Sequence, residues 1–144
     1  MCYYLEEYDS AYHYYKRFNY LRDLYKLDIY KNENFLIGKV YKKAGEIKKG
    51  EQFIESYRQY LDTDQTAYKD AGFAIYYDYI GNTTKALEHL KRFSEQDNIQ
   101  YWLILFMQKD PDPGNMSKTK EWKKIEGQIE AKFNANHERL KQTL

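Results

Sequence analysis

The chain is poor in cysteine and proline and carries no long apolar run, and each lack excludes something. Cys2 is the single cysteine, which rules out an internal disulfide framework and suits a reducing compartment. Proline occurs only at Pro111 and Pro113, so the rest of the chain is open to long helices. No stretch approaches the roughly 18 apolar residues of a membrane span, and the longest strongly apolar run, Tyr101 to Met107, reads as a buried helix. Charge of one sign is not in excess either. With 23 Lys and Arg against 22 Asp and Glu, no net field draws in nucleic acid or an anionic membrane, and direct DNA contact by this chain is not expected. A basic n-region followed by an apolar h-region is missing from the N-terminus, so no secretory signal is expected and the cytoplasm is the expected location.

What is present suits packed helices. The 144 residues fit one domain, and 42% apolar content suffices for a helical core. Aromatic residues are in excess, with 17 Tyr beside 7 Phe and 2 Trp. Two windows align without gaps: Ile37, Gly38, Tyr41, Gly45, Gly50, Ile54 and Tyr57 with Phe73, Ala74, Tyr77, Gly81, Ala86, Leu90 and Phe93. Gly45 and Gly81 stand 36 residues apart. Tyr8, Ala11, Tyr15 and Phe18 form a partial third window, in register with Ile47, Gly50, Ile54 and Tyr57.

Each window predicts two antiparallel helices. Gly38 or Ala74 lets the paired helix approach closely, and Gly45 or Gly81 supplies the left-handed turn that ends the first helix. Gly50 or Ala86, with the apolar residues four and seven positions on, forms the stripe by which the second helix packs on the first.

These residues resemble the tetratricopeptide repeat, whose pattern has a Leu-Gly-x-x-Tyr core followed by Ala-x-x-x-Phe over about 34 residues. Ile37-Gly38-x-x-Tyr41 and Ala86-x-x-x-Leu90 match closely, whereas Asn34 and Asp70 stand at the expected Trp positions and Asp62 and Asn98 at the expected Pro positions. The resemblance covers about residues 1–107. It implies an all-α fold of antiparallel helix pairs stacked as a right-handed superhelix, an α-solenoid closed by a long C-terminal capping helix. The expected layout is a partial repeat over about 1–30, repeats over about 31–64 and 67–98, a short helix over about 99–108, a loop at 109–116 and the capping helix over about 117–144. Ser117 is the expected N-cap of that last helix, and Trp122, Ile125, Ile129, Phe133, Leu140 and Leu144 mark its apolar face. In this alignment Met1 falls inside the first helix of the first repeat. The chain is therefore expected to be a piece of a longer protein, or to bury its open end on a second copy through Tyr4, Tyr8 and Tyr12.

Ile104-Leu105-Phe106 with Asp110-Pro111, followed by Trp122, Ile125, Ile129, Phe133 and His137, resembles the C-terminal ends of bacterial transcriptional regulators that join such repeats to a DNA-binding domain. That resemblance implies a sensory or partner-binding half, with the DNA-contacting part outside these residues.

Solenoids of this kind bind through the first helix of each repeat. Helical spacing turns Phe35, Lys39, Lys42 and Lys43 away from Ile37, Gly38 and Tyr41, and turns Tyr68, Ala71, Ile75, Asp78 and Tyr79 outward in the next repeat. This set predicts an apolar floor with a cationic rim, suited to a peptide bearing a carboxylate or an acidic residue. The plainer alternative is a solvated lysine face.

Chemistry has little footing. His13, His89 and His137 lack metal-ligand spacing, and Glu6, Glu7 and Asp9, like Glu126 and Glu130, sit on polar faces. Nucleophile elbow, phosphate loop and dinucleotide fingerprint are missing. The expectation is a non-catalytic protein without metal or cofactor, whose partner is a peptide or protein. The alternatives are an oligomerisation segment, giving a homodimer, or a small-molecule-binding helical domain.

Overall fold

The computed structural model describes residues 1–97 and 101–143, and every regular element among them is helical. The α-helices are α1 (Tyr8–Leu24), α2 (Asn34–Lys43), α3 (Ile47–Thr63), α4 (Lys69–Tyr79), α5 (Thr83–Glu95), α6 (Tyr101–Gln108) and α7 (Lys120–Thr143). The chain divides into two compact units, one of Met1–Asp64 and the other beginning at Gln65, so the division falls between the two aligned windows. Asn98, residues 99–100 of the expected short helix and Leu144 lie outside the described residues.

In the first unit α2 and α3 form an antiparallel pair that crosses closely at two glycines. A β-carbon on Gly38 would stand 2.7 Å from the carbonyl oxygen of Gly50, and one on Gly50 would stand 2.6 Å from that of Gly38. Each glycine thus makes room for the other's backbone, as real side chains cannot at such distances. Ile37, Tyr41, Ile54 and Tyr57 are buried around this crossing. Gly45 takes φ +88°, ending α2 in the left-handed conformation that glycine adopts without strain. The first turn of α2 is tied to α3 by a polar bridge, in which the Asn34 side-chain N–H donates to Ser56 Oγ at 3.1 Å.

Among the described residues, those before α1 do not form the α-helix expected of a first repeat. Cys2–Leu5 form a single 3-10 turn instead, because Glu6 turns left-handed at φ 59° and redirects the chain before α1 begins. Tyr3, Ala11 and Val40 form a small core there, with Tyr4, Tyr8, Tyr12, Tyr15 and Leu36 packed around it.

The second unit repeats the plan. Ala74 and Ala86 are fully buried in one core with Leu90 and Phe93, and Gly81 ends α4 at φ +79°. Asn82 caps α5 by accepting the Lys85 N–H at 3.1 Å. Where the first unit joins Asn34 to Ser56, this one joins Asp70 to His89 Nδ1 at 2.7 Å. His89 lies against the Phe73 and Tyr77 rings, with centroids 4.9 and 5.4 Å away.

The C-terminal helix starts later than expected. Ser117 lies in a 3-10 turn (Met116–Lys118), and the cap is Thr119, whose Oγ1 accepts the Trp122 N–H at 3.0 Å. The shift follows from Met116, which is drawn into the core and holds the chain off the helical path for another turn. Trp122, Ile125 and Ile129 join the core. Phe133 is more exposed, stacked between Tyr101 and His137, and Leu140 is exposed.

Candidate partner-binding face

The expected groove residues of the first unit lie on α2, and the structure shows what covers them. Lys39 is only 4% exposed. Its ammonium stands 5.2 Å from the centroid of the Tyr3 ring and 5.6 Å from that of Phe35. Burying a cation away from water is costly, and two aromatic faces offset the loss by cation–π attraction, each contributing about 0.5–2 kcal/mol. One helical turn further on, Lys43 Nζ stands 4.7 Å over the Tyr8 ring. The 3-10 turn and the start of α1 therefore lie on the α2 face that helical spacing had turned toward a groove.

This corrects the expected orientation of Phe35 and Lys39 as open floor and rim. Both are buried, Phe35 against Tyr57 at 5.3 Å between ring centroids and Lys39 against the Tyr3 ring. Lys42 reaches Glu51 Oε1 at 3.5 Å, and Lys43 is the exposed member of the three. Tyr4, Tyr8 and Tyr12, expected at an open end, are half-buried around the unit's own core. Beside Met1, Leu5, Tyr14 and Ile47, the exposed apolar side chains of this unit gather along the second half of α1 and beyond it, at Tyr20, Leu21, Leu24, Tyr25, Leu27, Ile29 and Tyr30.

The α1 tyrosines carry polar anchors. Tyr12 donates its hydroxyl to Glu46, and this bond to a carboxylate, with burial behind it, pushes the phenol up to about 12. Burial and then the Glu33 carboxylate raise Tyr15 further still. From the buried side of α1, Asn19 donates to the Tyr41 hydroxyl at 3.2 Å.

The unit also holds an open cleft of about 340 Å³, lined by Arg22, Lys31, Lys49, Phe53 and Ser56 among others. Asn34 forms part of its wall, and its Oδ1 is buried without a hydrogen-bond partner.

In the second unit the expected groove residues have separate roles. Ala71 is fully buried in the core, which corrects its expected outward position: it packs where α4 meets its neighbours. Asp78 Oδ1 accepts the Met116 N–H at 2.8 Å, which makes it the anchor of the loop before α7. Ile75 and Tyr79 are half-buried. Tyr68 is exposed, its ring 5.9 Å from that of Trp102, and Trp102, Leu105 and Phe106 leave α6 with an exposed apolar surface.

Among the described residues no group of three or more His, Cys, Asp or Glu is placed to hold a metal ion, and no helix is long and apolar enough to cross a membrane. His13 is exposed, His89 is taken up by Asp70, and His137 stacks on Phe133. Compared with family models, curated proteins and solved structures, the chain matches none.

Sequence reasoning missed the covering segment and the Asp78 anchor. The first had a signal: Tyr3 and Tyr8 precede two lysines, Lys39 and Lys43, set one helical turn apart. Nothing in the sequence tied Asp78 to Met116.

Proposed function

We propose that the chain is a non-catalytic protein-protein interaction module of the tetratricopeptide-repeat kind, holding a segment of a partner protein against the first helix of a helix pair. The observation that carries this reading is the α2 face itself, where buried Lys39 and exposed Lys43 each hold a tyrosine ring of a separate stretch of chain. A surface that holds one such stretch has the chemistry to hold another. The matched layout of the two helix pairs, with glycine or alanine at the crossing and a left-handed glycine after the first helix, supports the repeat reading. Stacked as a right-handed superhelix, such pairs would serve as the partner-binding half of a bacterial transcriptional regulator in the cytoplasm, with a peptide or protein as partner.

The test is selection of peptides from a random display library on the immobilised chain. The expected result is one recurring motif, with binding about tenfold weaker to Lys43→Glu and an unchanged solution mass by light scattering. Failure to enrich any motif sinks the reading.

A second reading, a homodimer or higher assembly, is favoured by the apolar side chains exposed from Tyr20 to Tyr30, since such clusters mark association surfaces. A mass that rises with concentration, and falls back in Leu24→Glu, would establish it.

A further inference from the structure

We infer that the cleft between the end of α1, the α1–α2 connection and α3 is a binding site for a small monocarboxylate that also carries a hydroxyl or N–H donor and an apolar group. The site stands apart from the partner-binding reading above, and neither depends on the other.

The cleft has a polar floor and a charged rim. Among its lining residues Asn34 is buried, at 4% exposure, Ser56, Phe53 and Arg22 are half-buried, and Lys49, Lys31 and Leu27 are exposed. Its volume of about 340 Å³ lies at the small end of ligand sites, which suits a molecule of amino-acid size. At the floor the Asn34 amide nitrogen is spent on Ser56 Oγ at 3.1 Å, and its Oδ1 has no hydrogen-bond partner. Buried polar atoms are nearly always paired, and one left over is costly. A carbonyl oxygen can only accept, so the group that completes it is an O–H or an N–H.

The rim sets the charge. Three cations, Arg22, Lys31 and Lys49, and two carboxylates, Asp23 and Asp28, line the cleft, which leaves one positive charge in excess. Lys31 is answered by Asp28 at 2.9 Å. Arg22 donates to neutral oxygens, the Ile29 carbonyl at 3.3 Å and Asn19 Oδ1 at 2.9 Å, which orient the guanidinium without cancelling its charge. Lys49 Nζ stands 5.0 Å from the centroid of the Tyr41 ring. One excess positive charge matches a single carboxylate better than a doubly charged phosphate. Phe53 and Leu27 supply an apolar wall. The α1–α2 connection on that side holds two side-chain-bearing residues in the left-handed region, Lys26 at φ 49° and Tyr30 at φ 55°, and backbone strain of this kind gathers where a segment is shaped around a ligand.

The experiment titrates the full chain, followed by NMR, with a panel of small carboxylic acids bearing a hydroxyl or acylamino group. Phenyllactate leads the panel, and each acid is run beside its primary amide and its donor-free analogue, phenyllactamide and hydrocinnamate for the lead. The acids that bind should shift the Asn34 side-chain amide and the Ser56 and Phe53 resonances, and should bind at least about tenfold more tightly than either analogue. Lys49→Gln should erase most of the advantage of acid over amide, and Asn34→Leu the advantage of the donor. Lys49 is exposed, so its variant keeps the test open where Asn34→Leu fails to fold. No shift at Asn34, Ser56 and Phe53 with any acid of the panel overturns the site. Equal binding of acid and amide, equal binding with and without the donor, or an acid preference that Lys49→Gln leaves untouched overturns it as well.

Discussion

The Asp78 carboxylate stands where a side chain on Gly114 would have to go, and it accepts the backbone N–H of Met116 two residues further on. One acid thereby fixes the approach of the Asp110–Gly114 loop and the entry to α7. Gly114→Ala must push the carboxylate aside, and overpacking of this kind costs about 1–3 kcal/mol. Asp78→Ala removes the acceptor and should cost about 1–3 kcal/mol, while Asp78→Asn keeps a carbonyl oxygen and should cost less. Urea denaturation of the three variants gives the order, and a Gly114→Ala chain as stable as the parent would refute the clamp.

Four of the other glycines should separate into three classes. Gly38→Ala and Gly50→Ala force apart two backbones that touch, and each should destabilise the chain by about 1–3 kcal/mol or more. Gly45→Ala meets no neighbour but must hold φ +88°, for a loss on the order of 1 kcal/mol. Gly127 lies inside α7 with open space around it, so Gly127→Ala should add about 0.5–1 kcal/mol. Thermal melts of the set check the ranking, with Gly127→Ala above the parent.

Alkaline pH should loosen the first unit in a defined window. Tyr12 keeps its proton up to about pH 12 in the folded chain, held by Glu46, against about 10 in an unfolded one. Its contribution is fully present below pH 10 and is lost as the pH rises through 12. Tyr15 and Tyr57, both raised chiefly by burial, act in the same direction. Absorbance at the tyrosinate band should show a late-titrating group of tyrosines whose ionisation coincides with loss of helical circular dichroism. Glu46→Gln should move Tyr12 back toward the ordinary value.

The helix pairs were legible in the sequence because backbone geometry dictates them: small residues at a crossing and a glycine with positive φ leave a periodic trace. Gly38, Gly45, Gly50 and Gly81 all carry it. The Trp positions were read as departures, and the structure shows a shared solution there, since Asn34 and Asp70 each bridge to the second helix of their pair. The binding face was less legible. Helical spacing gives the direction of Phe35 and Lys39 relative to Ile37, but burial depends on what lies above, and here the cover is a 3-10 turn too short to show any periodicity. Asp78 was misread for a similar reason: its partner, the Met116 N–H, is a backbone group that every residue but proline offers.

The enclosure of Lys39 has a practical consequence for its reactivity as an amine. Acylating reagents need a solvent-reachable nucleophile, and this nitrogen stands beside two rings at 4% exposure. Lys43, Lys48 and Lys49 are exposed around it. Mild acetylation followed by mass spectrometry should therefore leave Lys39 unmodified long after these neighbours have reacted. The chain thus carries its own footprinting marker, one whose acetylation would report exposure of this face of α2.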